Sequence, residues 1–308
     1  EDVRARLDVL ASYAEEWSNL IHRLRAMTAQ VRPLDLDGRS ENLLWQTLWG
    51  TWAPDSDDPM TPERLSAYLI KASREQKIWT TWTAPDLARE QALTDYATHL
   101  LSNEDVTREL EGFATLTAKA VRTAVLANKA LALTWMGVSD IYQGSEITRT
   151  SLVDPDNRRA VDYTGPAGLM STLERLDSGA TPRNLDEDKL FLTSPNTFVG
   201  PRSGYRAIPV TTSFAFAYAR LLDEAPDIVV IVRRLSERLE QLGGWREESV
   251  VLPDGTWEDV LHGGTVEGGN QPLAAVVGDA PAVVLAKVPT RTSADTAQPG
   301  QSAEEATP

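Results

Sequence analysis

The chain changes its hydrophobic period once, and that change limits the folds open to it. Through the first 130 residues apolar side chains recur at spacings of three and four, as in Val3, Leu7, Leu10, Trp17, Leu20, Ile21, Leu24 and Met27, which places them on one face of a helix. Nothing in that stretch alternates as a strand does. Later in the chain the pattern turns to alternation and short apolar runs, at 207–210, 214–219, 228–232, 249–252, 256–260, 273–277 and 282–288, several of them separated by Gly or Pro. A helical block followed by an antiparallel β-sandwich of roughly 80 to 100 residues accounts for both patterns.

The helical block reads in pieces. A helix is expected over 3–30, ended by Pro33 and the loop chemistry of 34–40, and another over 41–52. Thr61 and Pro62 form a cap and first turn for a helix running to about residue 80. Residues 86–101 and 105–130 continue the period, the second stretch as one helix or two, with Gly112 and Thr117 as the available breaks. A short helix is expected over 165–176 and a loop over 177–187. The last stretch, 290–308, is Thr, Ala, Ser, Pro and Glu without apolar period and is expected to be disordered.

Composition narrows the functions. At 308 residues and 42% hydrophobic the chain can bury a real core. Its formal charge of −15 repels phosphate backbones and anionic headgroups, so neither nucleic acid nor a membrane surface is an expected partner. Neutral sugars, held by hydrogen bonds and stacking, suit such a surface. There are no cysteines and only three scattered histidines, His22, His99 and His262, so no disulfide, thiol chemistry or metal site is expected, and no cofactor. No window approaches the ~18 consecutive apolar residues of a membrane span, and no signal peptide opens the chain, so the default expectation is a cytoplasmic protein. Oligomeric state is not set by any of these features.

The densest chemistry lies in residues 131–162. Leu131, Leu133, Trp135, Met136 and Val138 form an apolar run of strand length with Gly137 inside it. Asp140, Tyr142, Gln143, Glu146, Asp154, Asp156, Asn157, Arg158, Arg159 and Asp162 follow, more hydrogen-bonding capacity than a turn requires. The pattern is that of a buried strand delivering a polar loop to a site.

Four stretches in three separated regions give this a family context. Gly137-Val-Ser-Asp-Ile-Tyr-Gln-Gly-Ser-Glu146 resembles the end of the eighth barrel strand in the α-amylase clan, and Ser151-Leu-Val-Asp-Pro-Asp-Asn-Arg-Arg159 a stretch typical of maltooligosyltrehalose synthases. Glu1-Asp-Val-Arg-Ala-Arg6 is similar to the tail of that family's His-Asp-Thr-Lys-Arg-Ser-Glu-Asp-Val-Arg motif, and Leu252-Pro-Asp-Gly-Thr-Trp-Glu-Asp-Val-Leu261 to its C-terminal strand pair. The resemblance covers, with gaps, residues 1 to about 288. It implies an α+β chain forming part of a TIM-type (β/α)8 barrel: a helical insertion at 1–130, the last barrel strand, substrate-side loop and last helix at 131–186, a β-sandwich at 187–289 and a tail at 290–308. The activity it implies is intramolecular transglucosylation, which moves the reducing-end glucose of a maltooligosaccharide from an α-1,4 to an α,α-1,1 linkage. On the same ground the catalytic carboxylates are expected upstream of Glu1, so no residue of this chain is expected to be catalytic. The family's basic helix opening at Lys189-Leu-Phe-Leu-Thr-Ser194 is interrupted here by Pro195.

What this chain is expected to supply is sugar contacts. Glu1, Asp2 and Arg4 are the remnant of the catalytic motif, or else an ordinary helix start. Asp140, Gln143 and Glu146 stand at the mouth of the expected strand, where barrel enzymes place functional groups, and otherwise hold their loop together. Asp154, Asp156, Arg158 and Arg159 either grip the hydroxyls of a terminal glucose or form a self-satisfied ion-paired loop. Trp82, beside Thr80, Thr81 and Thr83, is either a stacking wall for a pyranose ring or buried helix packing. Lys71, Arg74 and Lys77 read as a solvated helix face.

Overall fold

The structure, a computed structural model, describes residues 1–53, 59–135, 139–161, 169–177, 182–193, 203–222 and 224–288. Its first part is a helical block made of α1 (Asp2–Val9), α2 (Ala14–Met27), α3 (Gly38–Gly50), α4 (Pro62–Gln76), α5 (Leu87–Ser102) and α6 (Glu104–Thr134). Local chemistry sets the helix starts. Asp37 accepts the amides of Arg39 and Ser40, Thr61 that of Arg64, Asp86 that of Arg89, and Asn103 those of Asp105 and Val106. Each such cap is worth about 1 kcal/mol. The apolar stripes meet in one core that includes Leu20, Leu24, Leu44, Trp45, Leu48, Trp49, Leu65, Leu69 and Phe113.

Three helix boundaries differ from expectation. The single helix expected over 3–30 is two, because the chain turns at Leu10 to Tyr13 so that both of these residues are buried and the Tyr13 hydroxyl reaches Glu237. Helix α4 stops at Gln76, since Lys77 adopts a left-handed conformation with φ 57° and ends the ladder. The third difference is larger. Helix α6 runs unbroken for 31 residues to Thr134, so Leu131 and Leu133 belong to a helix rather than to a barrel strand. No Gly or Pro interrupts 113–134, and Ala127 and Ala130 of α6 pack on the sheet. Arg220 then caps the end, donating to the carbonyls of Thr134 at 2.9 Å and Trp135 at 2.7 Å. Met136, Gly137 and Val138, the remainder of the expected strand, lie outside the described residues.

Two short helices follow the central loop, α7 (Leu169–Asp177) and α8 (Leu185–Thr193), the second beginning inside the loop expected over 177–187. The interruption expected at Pro195 and the tail 290–308 lie outside the described residues, as do residues 165–168 of the expected helix.

The last part is one antiparallel sheet rather than a sandwich of two. Its strands are β1 (Ser203–Ala207), β2 (Ala215–Leu222), β3 (Ala225–Arg233), β4 (Ser249–Asp259), β5 (Thr265–Pro272) and β6 (Ala282–Lys287), in the order β1-β2-β3-β6-β4-β5. A register break in β4 between Leu252 and Thr256 bends the sheet. The chain beyond β1 crosses to β4, where Thr211 donates to Ser249 and Val251 to Pro209, both at 3.0 Å. Curling in this way lets a single sheet enclose its own core, with Ala217, Ala219, Val229 and Ile231 facing Val250, Leu252 and Trp257. The outer face of the same strands, Tyr218, Val230, Val232 and Val284, is covered by α6. Both faces of β3 are therefore buried, which is why its apolar run does not alternate. Residues 273–276, expected as strand, form a short helix (Leu273–Val276), and the glycine-rich, polar stretch before them becomes β5 by pairing with β4.

Candidate functional site

Residues 139–161 cross the molecule as an irregular loop, and its two halves are built differently. In the first half Asp140, Ile141, Tyr142 and Gln143 are exposed. A turn then forms, with Ser145 N–H donating to the Tyr142 carbonyl at 3.0 Å, and it needs glycine at its centre. Gly144 has φ +78°, and a Cβ there would sit 2.6 Å from Arg149 Cδ. Glu146, just beyond the turn, is half-buried, and its Oε2 is enclosed without a hydrogen-bond partner.

The loop backbone after Glu146 is held by buried charge. Thr148 N–H donates to Asp186 at 2.9 Å and Arg149 N–H to Asp2 at 2.7 Å. Lys189, which is 0% exposed, donates to both oxygens of Asp2 at 2.9 and 2.7 Å and to the Ile147 carbonyl at 3.1 Å, and pairs with Glu1 at 2.9 Å. Lys129 of α6, also buried, lies 3.3 Å from Ser145 Oγ and 3.6 Å from Glu1. Burial pushes the Lys129 ammonium below its usual range, and Glu1 only partly opposes this. Burial acts to raise the Glu1 carboxyl, yet Lys189 and Lys129 outweigh it and leave Glu1 below the usual carboxylate range. Glu1 and Asp2 are thus gathered with two lysines, while Arg4 is exposed on the outer side of α1.

In the loop's second half the carboxylates are occupied. Asp156 accepts a two-pronged bond from Arg64 of α4 at 2.8 and 3.0 Å, a third from Leu152 N–H at 2.8 Å, and faces Arg159 at 3.0 Å. Burial alone acts to raise its carboxyl, but these donors together hold it below the usual range. Lys71, expected on a solvated face, donates to the Val153 carbonyl at 3.4 Å. Asp154 and Arg158 pair at 2.5 Å on the surface.

Trp82 stands on the α4–α5 connection, 57% exposed, with the Arg74 guanidinium 5.0 Å from its ring centre. The segment beneath it is stiff, because buried Glu90 takes a fork from Arg74 at 2.8 and 2.7 Å and also accepts from Thr80. Trp45, Trp49 and Trp52, by contrast, are core. Among the described residues no group of three or more metal-ligating side chains converges, and no helix is long and apolar enough to cross a membrane.

Reading residue types missed the roles of Arg64, Lys129, Asp186 and Lys189. For Lys129 a signal exists, since it is one charge inside the apolar helical run Val-Leu-Ala-Asn-Lys129-Ala-Leu-Ala-Leu; Lys189 follows the acids Asp186, Glu187 and Asp188 and carries no such signal. For Arg64 there is none, since its partner lies 92 positions away.

Comparison with known proteins gives this arrangement a context. No family model matches the chain. Among solved structures, the maltooligosyltrehalose synthase of Arthrobacter ramosus superposes over 94% of this chain and 37% of its own, with a TM-score of 0.75 and 30% identity. A hypothetical maltooligosyl trehalose synthase of Sulfolobus tokodaii does so over 93% and 37%, with a TM-score of 0.66 and 25% identity. The helical block with its curled antiparallel sheet is thus of the amylase-like class that these enzymes represent. In sequence, a Mycobacterium tuberculosis protein provisionally named a maltooligosyl trehalose synthase is 33% identical over 288 residues, 93% of this chain. The chain belongs with the maltooligosyltrehalose synthase family and corresponds to its C-terminal portion, spanning about a third (36%) of that relative's length.

Proposed function

We propose that this chain furnishes the reducing-end side of an intramolecular transglucosylase, the (1→4)-α-D-glucan 1-α-D-glucosylmutase reaction, which turns the terminal α-1,4 bond of a maltooligosaccharide into an α,α-1,1 bond. In that reaction the freed glucose has to be kept and turned rather than lost to water. A site for this needs hydrogen-bonding groups on a fixed backbone and little free water. The observation that carries the reading is the loop 139–149. It is rich in exposed polar groups, yet its backbone is tied by buried charge to α1 and α8, in a chain related to these synthases over nearly all its length.

The reaction's carboxylic acid pair belongs, on this reading, to other segments of the family's fold, and the 308 residues alone are catalytically silent. The chain incubated with maltopentaose is expected to leave reducing ends unchanged. Loss of reducing ends without shortening of the sugar would overturn that silence, and new reducing ends would mark a hydrolase of the same clan. A non-catalytic saccharide-binding module is the second reading, favoured by one observation: the helical block and the sheet each have a core of their own. Cooperative unfolding of the isolated chain together with maltopentaose binding supports it.

A further inference from the structure

Where α1 and α6 face the end of β3, a cleft of about 370 Å³ remains open, and no residue of the central loop lines it. Its origin is local. Helix α6 turns Ala120, Ala124 and Ala127 toward it, and three side chains so small leave the space beside β3 unfilled. Two contacts fix the walls relative to each other: Tyr13 donates to Glu237 at 2.9 Å and Lys119 pairs with Glu240 at 2.7 Å, both from the helical block to the short helix Ser236–Gln241.

The polar groups of the cleft are unspent. Asp8, Ser12, Asn128, Arg234 and Ser236 line it, and among the described residues none of these side chains enters a hydrogen bond or an ion pair. Ser236 is only 6% exposed, yet its hydroxyl is not among the unpartnered groups sealed from solvent, so what it reaches is the cleft. The remaining wall is apolar, with Leu131, Val232 and half-buried Phe216. The Phe216 ring is held in place by Trp135 and Tyr218, at 5.8 and 5.7 Å between ring centres.

We infer that this cleft is a binding site for a neutral saccharide unit. Of the charged side chains that line it, Arg233 is committed to Glu240 at 3.0 Å, which leaves Asp8 and Arg234, one of each sign. A net anion or cation would face a like charge from one of them. Sugar hydroxyls suit both, because they donate to Asp8 and accept from Arg234 and Asn128 in bonds that need no counter-charge on the ligand. An apolar wall opposite a set of hydrogen-bonding groups also matches a pyranose ring, which has C–H faces and a hydroxyl edge. This binding is independent of the transglucosylase reading, since none of its residues belongs to the central loop.

The test is maltose titrated into the isotope-labelled 308-residue chain and followed by amide NMR, in the parent and in the double variant Asn128→Ala/Ser236→Ala. Neither side chain is bonded within the chain, so the melting temperature is expected to stay within about 2 °C of the parent. Maltose is expected to shift the amides of Asn128, Phe216 and Arg234, and the double variant to need about tenfold more maltose for the same shift. No shift at these amides, shifts confined to 139–149, or equal midpoints in both proteins would overturn the site. Should the double variant fail to fold, Arg234→Gln reads the same wall alone: about a threefold loss supports the site and an unchanged midpoint overturns it. L-alanine, a zwitterion that Asp8 and Arg234 could pair from its two ends, is titrated in parallel. Shifts at the cleft with L-alanine and none with maltose would overturn the saccharide class.

Discussion

The two halves of the central loop are made of the same residue types and came to opposite ends. Residues 147–159 hold Asp156, which is enclosed by Arg64, Arg159 and a backbone amide, and Arg159, which bonds within its own turn. Residues 140–146 hold Asp140 and Gln143 in the open and Glu146 with an oxygen to spare. The difference lies in what packs behind each half. Helix α4 brings an arginine fork to Asp156, so that acid became structure. Helices α1 and α8 bring their charges to the backbone beside Glu146, and its side chain keeps an enclosed oxygen without a hydrogen bond. A cluster of acids and arginines in a loop is therefore poor evidence of a binding site until the partners on neighbouring helices are known.

The largest test of this contrast is Asp156→Ala. It removes the acid that Arg64 and Arg159 share and takes its acceptor from Leu152 N–H, and about 2–4 kcal/mol of stability should be lost in denaturant unfolding. Because the Asp156 carboxyl is held below its usual range, its contribution is fully present above the unfolded value near ~3.9 and lost as pH falls through the folded one. In Asp156→Asn that part of the acid limb of stability should flatten. If Asp156→Ala instead unfolded like the parent yet bound maltopentaose far more weakly, the second half would be the sugar site after all.

Much of the fold was legible because it is local. Thr61 with Pro62, Asp86 and the 3.6-residue stripes are read within one turn of where they act, and the structure starts its helices there. What was not legible depends on distant partners. The apolar run from Leu131 has strand length, yet the helix carries through it because Tyr218, Val230 and Arg220, some 85 to 100 positions later, cover its end. Thr265–Pro272 has the composition of a loop and is a strand only because β4 lies beside it. In the loop, Asp140, Asp154 and Asp156 are indistinguishable as sequence. Burial and Arg64 tell them apart, and neither is written near them.

Trp82→Ala gives a middle-sized effect. The ring is exposed and stacked only under Arg74, so stability should fall by less than about 1 kcal/mol. If the indole is a platform for a pyranose ring, maltopentaose affinity should drop about tenfold in the same protein. Equal small losses in both would return Trp82 to the surface. Below it comes Asp140→Asn combined with Gln143→Ala in the open half of the loop. These changes are expected to leave the melting temperature in place and to weaken maltopentaose binding about threefold. A falling melting temperature would show that the open half is also occupied, and the contrast between the halves would close.

The smallest expected effect is at Arg158→Ala, and it probes the contrast from the other side. Arg158 belongs to the occupied half, but it is 69% exposed and its partner Asp154 is 47% exposed. A pair so open to water gains little from its Coulomb attraction and is screened by salt, so about 0–0.5 kcal/mol should be lost. The melting temperature should move by no more than about 2 °C, and 1 M salt should erase the difference. A loss above about 1 kcal/mol would mean that exposed charge, and not the buried Arg64 fork, shapes this half of the loop. Asp156 would then no longer be the reason the two halves differ.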